Sequence, residues 1–202
     1  MKILAIMGSS RKNRNTEKFL DIFLDKYADK DDEIVKISLR DLDYKGCTSC
    51  YGCAKVSYCI IKDDLTEIYK LIESVDAIVF ATPIYFNSVS GLAKNFIDRM
   101  QVYWSIKFLQ KLGPIKEKIG IALINGGAFN EPKQFVGPEL VFDHFFKATT
   151  CKRRILVEVG NTDDSPINKD NEKFMEFLDQ IDYDFPENKT YKLDGGSIVN
   201  EN

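Results

Sequence analysis

The sequence lacks most of the signatures that mark a familiar active site. Its one histidine, His144, has no evident catalytic partner, so a hydrolytic triad is not indicated. Neither the Gly-x-Gly-x-x-Gly dinucleotide fingerprint nor a Gly-Lys-Ser/Thr phosphate loop is present. No apolar run approaches the roughly 20 residues of a membrane-spanning helix, and the short run at 3–7 stops at Gly8, too early for a signal sequence. We therefore expect a cytoplasmic protein.

Charge of one sign is also scarce. The 28 basic and 31 acidic residues are interspersed and give a net charge of −3, so no basic stripe follows a nucleic-acid backbone and nucleic acid is not an expected partner. A chain of 202 residues can bury a core without disulfide staples. We predict one domain over residues 1–185, followed by a polar tail at 186–202 that either forms no strand or reaches a neighbouring subunit.

Cysteine is rare outside one short segment. Four of the five cysteines lie within the loop 46–63, namely Cys47, Cys50, Cys53 and Cys59. Reduced thiols clustered in this way suit a soft metal centre, and the Cys-x-x-Cys-x-x-Cys run is typical of loops that bind a four-iron, four-sulfur cluster. Tetrahedral zinc and unligated thiols are the alternatives. The fifth, Cys151, stands next to three basic residues and is either an activated thiolate or, as we expect, a partly buried residue before a strand.

Apolar runs and amphipathic stretches alternate along the chain. The apolar runs predict five strands, at 3–7, 33–38, 77–82, 119–124 and 155–159. Helical periodicity predicts helices at 15–27, 65–74, 90–103, 138–149 and 169–181. Asp64 and Glu67 have capping-box spacing, so we interpret Asp63 and Asp64 as capping groups rather than a catalytic pair. The alternation predicts an α/β protein with a doubly wound, five-stranded parallel sheet and helices on both faces.

Three loops follow predicted strands, at the sheet edge where such proteins bind ligands. The loop 8–16 combines hydroxyls, backbone N–H groups and a helix start, which suits a phosphate or a simple helix cap. The loop 82–91 carries aromatic and amide groups that either cover a planar ring or belong to the core or an interface. The loop 125–130 has two glycines that let the backbone approach a flat ligand closely.

Together with the segment 94–99, Lys-Asn-Phe-Ile-Asp-Arg, these loops resemble the flavodoxin-like NAD(P)H-dependent FMN reductase superfamily over about residues 1–160. The cysteine loop is similar to that of the iron-sulfur flavoproteins, whose members bind FMN and a four-iron, four-sulfur cluster and act as dimers or tetramers. The resemblance implies that the four clustered cysteines bind the cluster. It implies FMN contacts at Ser9, Ser10, Arg11, Asn15 and Thr16 for the phosphate, Pro83, Tyr85, Phe86 and Asn87 for the ring, and Gly126 and Gly127 for the flavin.

The sequence therefore predicts a flavin-dependent oxidoreductase that transfers electrons between FMN and an iron-sulfur cluster, with no acid–base residue assigned. The alternatives are a cluster-free NAD(P)H-dependent flavin, quinone or nitro reductase and a non-enzymatic flavodoxin-like carrier. Expected partners are NAD(P)H or an electron donor or acceptor protein, and further copies of the chain in a homodimer or homotetramer. The aromatic segment around Tyr103 and Trp104 either forms that interface or is buried within one subunit.

Overall fold

A computed structural model describes residues 1–129, 131, 133–184, 188–194 and 197–201. The strands are β1 (Lys2–Met7), β2 (Glu33–Ser38), β3 (Ala77–Tyr85), β4 (Ser88–Val89), β5 (Lys118–Asn125), β6 (Cys151–Val159), β7 (Lys189–Asp194) and β8 (Ser197–Glu201). The helices are α1 (Asn15–Tyr27), α2 (Leu65–Ser74), α3 (Gly91–Arg99), α4 (Gln101–Phe108), α5 (Val136–Ala148) and α6 (Glu172–Asp179). Strands and helices alternate, as the sequence pattern predicts.

The strands form one sheet in the order β2-β1-β3-β5-β6-β7-β8, with β4 paired to β3 as a short hairpin. From β2 to β7 along this order all pairings are parallel, whereas β8 is antiparallel to β7. The predicted flavodoxin-like doubly wound sheet is confirmed, and the five predicted strands are the consecutive β2-β1-β3-β5-β6. The predicted count of five is too low, because β7 and β8 extend the sheet beyond β6. The chain places β2 on one side of β1 and β3 on the other, so the topological switch point lies between β1 and β3. The expected ligand site is at the carboxyl ends of the strands at this point.

Helices cover both faces of the sheet, which explains why the central strands are continuous apolar runs. Successive side chains of a strand point to opposite faces. On one face Ile3 belongs to a buried cluster with Phe19 of α1 and Phe174 of α6. On the other face Leu4 belongs to a cluster built with α2, α3, α4 and α5 that includes Phe142.

Two local predictions are corrected. The helix predicted at 90–103 is divided at Met100, whose ψ of 1° leaves the helical region and whose N–H donates to Ile97 O at 2.9 Å. The α2 helix begins where predicted, but the Asp64 side chain does not cap it. The Asp64 carboxylate instead accepts from the Asp43 N–H at 2.7 Å. The Asp63 carboxylate accepts from the Leu65 N–H, at the start of α2, at 3.2 Å.

The tail predicted at 186–202 is partly sheet, so the strand-free alternative is wrong. β7 buries Tyr191 and Leu193 on alternate positions, a pattern too short to separate a strand from a polar tail. Of this tail, residues 186, 187, 195, 196 and 202 lie outside the described ones. Among the described helices none is long and apolar enough to cross a membrane.

Candidate functional site

The three predicted ligand loops converge at the carboxyl end of the sheet. Pro83 pairs in register with Asn125, and Asn125 with Val159, while the Gly8 N–H donates to Ala81 O at 2.7 Å. Together with the segment after β6, the loops enclose a polar pocket of about 410 Å³. The predicted contacts that line it are Ser9, Arg11, Asn15, Thr16, Pro83, Tyr85 and Gly127.

The first turn of α1 faces this pocket without a side-chain cap. The N-cap residue of α1 is Arg14, and among the described residues no side chain accepts a hydrogen bond as a cap of this helix. Arg14, Arg11 and Lys18 also line the pocket. Free N–H groups at a helix N-terminus, surrounded by basic side chains, favour an anionic ligand such as a phosphate.

Glu17 anchors the backbone of the loop 8–16, hereafter the phosphate loop because a phosphate is predicted there. Its carboxylate accepts from the Asn13 N–H at 2.7 Å and pairs with Arg40 at 3.1 Å, with both side chains mostly buried. Burial alone would raise the pKa of Glu17, but the hydrogen bonds from Asn13 and Arg40 outweigh it and hold this pKa below its usual value. The backbone of the loop at Asn13 is therefore held in place by an ionised Glu17.

The Asn15 and Thr16 side chains bind other loops of the pocket. Thr16 Oγ1 donates to Asn125 Oδ1 at 2.8 Å, and Asn15 Nδ2 donates to Thr162 O at 2.9 Å. Their hydrogen-bonding capacity toward a phosphate is therefore chiefly that of their backbone N–H groups. No individual role was predicted for the Asn125 or Thr162 side chain. The available signal was a polar residue at or just after the end of a buried strand.

Four predicted contacts do not line the pocket of this chain: Ser10, Phe86, Asn87 and Gly126. Phe86 is fully exposed, with a relative accessibility of 104%. Phe86 and Asn87 have φ values of 49° and 53° and form the tight turn between β3 and β4, where paired positive φ values suit the twist of a hairpin. Gly126 is buried against Gln134, so it contributes close packing behind the pocket.

All four predicted metal ligands line a second cavity, of about 460 Å³. Cys47 and Cys50 are exposed, whereas Cys53 and Cys59 are half-buried. Among the described residues no three His, Cys, Asp or Glu side chains are grouped as ligands of one metal ion. Four thiols that line one cavity match the donor set of a four-iron, four-sulfur cluster and also that of a tetrahedral zinc site.

The backbone of the cysteine loop is strained and closely packed. Ser49 and Tyr51, on either side of Cys50, have φ values of 52° and 56°, a left-handed conformation that costs roughly 1–2 kcal/mol for a residue other than glycine. A Cβ at Gly52 would lie 2.7 Å from the Ile60 side chain. Glycine thus allows the two halves of the loop to meet, and such local strain is typical of functional segments.

Helix α4 and the turn after it hold Cys53. Ser105 Oγ donates to Cys53 O at 2.6 Å, and Gln110 Nε2 donates to the same oxygen at 2.7 Å. Burial, together with the nearby Cys59 and Cys47, raises the pKa of the Cys53 thiol. The hydrogen bond with Ser105 lowers this pKa, but by less. This thiol is therefore protonated at neutral pH unless a metal displaces its proton.

Burial decides between the alternatives for Tyr103 and Cys151 and leaves Trp104 at the surface. Tyr103 is a core residue whose hydroxyl donates to Tyr69 O at 3.0 Å, whereas Trp104 is 40% exposed and lines the cysteine cavity. Cys151 is buried, and burial raises its pKa to about 11. It is therefore a structural residue rather than a reactive thiolate.

A doubly wound parallel sheet with an anion pocket at its switch point defines a flavodoxin-like protein. The family model described as NADPH-dependent FMN reductase matches residues 1–131. The chain therefore belongs to the NADPH-dependent FMN reductase family, a family of flavin-dependent oxidoreductases, as predicted.

Among characterised relatives, the chain is similar to iron-sulfur flavoproteins. One from Archaeoglobus fulgidus is 31% identical over 137 residues, covering 68% of this chain and 60% of the relative. One from Methanosarcina thermophila is 32% identical over 130 residues, covering 64% of this chain and 65% of the relative. The matches thus span less than two thirds of these relatives' own lengths.

Solved structures share the fold. Smu.1420 from Streptococcus mutans UA159 matches with a TM-score of 0.65 at 17% identity, covering 89% of this chain and 97% of the other. An NAD(P)H:quinone oxidoreductase from Methanothermobacter marburgensis matches with a TM-score of 0.63 at 13% identity, covering 80% of this chain and 87% of the other. At these identities the likeness supports the fold alone.

Proposed function

We propose that this chain is an FMN-dependent redox enzyme whose cysteine loop carries a four-iron, four-sulfur cluster and exchanges electrons with the flavin. The observation that carries the proposal is the placement of four cysteines around one cavity, beside a flavodoxin-like anion pocket. Cys47, Cys50, Cys53 and Cys59 would hold the cluster. Four thiolates are the donor set that such clusters require.

The anion pocket supports FMN as the second cofactor. The uncapped first turn of α1 and Arg11 would bind the phosphate, and the backbone at Gly127 and the Pro83–Tyr85 segment would contact the ring. When bound, FMN supplies the capacity to accept two electrons and pass them on singly. The protein's own residues orient it and exclude water from the strand ends.

Helix α3 links the two sites. At its N-terminus the Ser90 hydroxyl donates to Gly8 O in the phosphate loop and accepts the Ala93 N–H at 3.0 Å. At its C-terminus Arg99 lines the cysteine cavity. The helix between them is about 13 Å long at 1.5 Å per residue. A single rigid element thus sets the spacing of the sites, which supports electron exchange between them.

Electrons would be supplied or withdrawn by NAD(P)H or by a partner redox protein. Homo-oligomerisation is part of the proposal, because an apolar surface borders the cysteine cavity. This surface consists of Trp104, Phe108, Leu109 and Leu112, each at least 40% exposed. A second copy of the chain would cover it, as apolar patches on soluble proteins commonly mark interfaces. The free thiols favour a reducing compartment, so we place the protein in the cytoplasm.

The Cys50→Ala variant tests the proposal. Cys50 is exposed and distant in sequence from every proposed FMN contact, so the variant should fold and retain FMN while losing iron and sulfide. Cys151→Ala is the matched control, because it removes a thiol remote from the loop and should keep the metal.

The measurement is an iron, sulfide and flavin count per chain after anaerobic purification. A full cluster in Cys50→Ala would show that Cys50 is not an essential ligand. A wild-type protein that binds FMN and oxidises NAD(P)H without iron would replace the proposal with a cluster-free reductase.

A further inference from the structure

Arg99, the last residue of α3, is a fully buried arginine, 1% exposed, in the wall of the cysteine cavity. A buried guanidinium is costly unless it is paired. Asp63 provides the pairing, with Oδ2 2.6 Å from Arg99 Nη1 and Oδ1 3.2 Å from Nη2. Burial would lower the pKa of Arg99, but Asp63, Tyr69 and Cys59 outweigh it and raise this pKa, so the charge persists. The cavity wall therefore carries a permanent cation next to Cys59.

The same guanidinium fastens both ends of the cysteine loop. Nη1 donates to Lys45 O at 2.8 Å, just before Cys47, and Nη2 donates to Ile61 O at 3.3 Å, just after Cys59. Five N–H donors in a fixed plane allow arginine to make these contacts at once, which lysine cannot do. The two chain segments that enter and leave the loop are thus held by one side chain.

One donor of Arg99 is left over. Its Nε is buried and has no hydrogen-bond partner among the described residues. An unused buried N–H of a charged group costs free energy, and in native proteins it is usually satisfied by a ligand or water. Arg99 lines the cavity of the four thiols, and the Tyr69 hydroxyl interacts with both the Arg99 side chain and Cys59. An anionic sulfur bound in that cavity would supply the acceptor that Nε lacks.

We propose that Arg99 is the positioning residue of the metal site, closing the cysteine loop with its two Nη groups and donating its Nε–H to a sulfur of the bound cluster. This inference rests on the proposed function, since the acceptor belongs to the cluster. Hydrogen bonds to sulfur raise the reduction potential of an iron-sulfur centre, whereas the charge of Arg99 is balanced by that of Asp63. Arg99 would thereby both retain the cluster and raise its potential.

The test uses the double variant Arg99→Met with Asp63→Asn, which removes the cation and its partner together and leaves no unpaired buried charge. Arg99→Lys keeps the charge without the planar donors. Lys94→Gln is the control, because it removes an exposed cation from the same helix, where Lys94 pairs with Asp98 at 2.7 Å. FMN content reports whether each variant folds.

Three readouts are compared at equal FMN content. The first is the iron and sulfide bound after anaerobic reconstitution with limiting ferrous iron and sulfide, and the second is the reduction potential of the remaining cluster. The third is the amide hydrogen exchange of residues 46–62 in the iron-free protein. In the double variant we expect a loss of cluster affinity on the order of tenfold, a lower potential and faster exchange. Arg99→Lys should recover part of the affinity, and Lys94→Gln should match the wild type.

Unchanged exchange in the double variant would refute the closing of the loop. Loss of iron with an unchanged potential would refute the Nε donor and reduce Arg99 to a structural residue. A wild-type protein that binds FMN but takes up no iron would refute the cluster itself and the donor role with it. The exchange measurement would then still decide whether Arg99 closes the loop.

Discussion

Replacing Gly8 with alanine tests whether the phosphate loop depends on close contact with β3. The φ angle of Gly8 is not among the positive values of the described chain, so an alanine backbone is unstrained there. The added Cβ, however, would lie 2.9 Å from Ala81 O and 3.0 Å from the Phe80 ring. Ala81 O is held in place by the Gly8 N–H at 2.7 Å, so the loop itself must move outward.

Overpacking of this kind costs about 1–3 kcal/mol. We expect the free energy of unfolding of the Gly8→Ala apoprotein to fall by that amount. The displaced N–H groups should also weaken FMN binding on the order of tenfold, which corresponds to about 1.4 kcal/mol. Urea unfolding measures the first effect, and quenching of FMN fluorescence on titration measures the second.

Gly91→Ala is the matched control, because a Cβ at Gly91 in the first turn of α3 would meet no heavy atom within 4 Å apart from its chain neighbours and the backbone of its own helix. Alanine favours a helix over glycine by up to about 1 kcal/mol, so this variant should be as stable as the wild type or more so, with unchanged FMN affinity. A Gly8→Ala protein that binds FMN as tightly as Gly91→Ala would refute the reasoning.

Three further predictions concern single side chains in or next to the loops 8–16 and 82–91. Thr16→Val should lower the free energy of unfolding of the apoprotein by about 1–3 kcal/mol, because Asn125 Oδ1 loses its buried donor; urea unfolding without FMN measures this, and wild-type stability would show that the hydrogen bond contributes nothing. Phe86→Gly should raise the free energy of unfolding by roughly 0.5–1 kcal/mol, since glycine adopts the φ of 49° without strain; a lower melting temperature would contradict it. The folded-state pKa of Glu17 is lowered, so its contribution to stability is complete above its unfolded pKa of about 4.3 and is lost as pH falls through the folded value. Glu17→Gln should therefore lose less stability than the wild type on acidification from about pH 5 to pH 3. If the free energies of unfolding of the two proteins fall in parallel with pH, the ionised Glu17 and its pairing with Arg40 do not contribute to stability.

Much of the secondary structure follows from local pattern. The apolar run at 3–7 is a buried strand because both of its faces are covered, and the periodicity over 15–27 predicts α1 with the bounds observed. The clustering of Cys47 to Cys59 indicates a metal site because the chemistry of a short loop depends on the residues within it. The C-terminal strands lacked such a signal, since β7 buries only alternate side chains in a short polar segment.

The sequence by itself thus determined the five central strands, most of the helices that cover them, the order of the three strand-end loops and the clustering of four cysteines. The tertiary structure decided which groups meet. Thr16 donates to Asn125, 109 positions away, and Arg99 reaches Lys45 across 54 positions. Local periodicity carries no information on such pairs, because sheet order and helix packing bring them together. The exposure of Phe86 and the unused Nε of Arg99 are likewise set by packing rather than by neighbours in the chain.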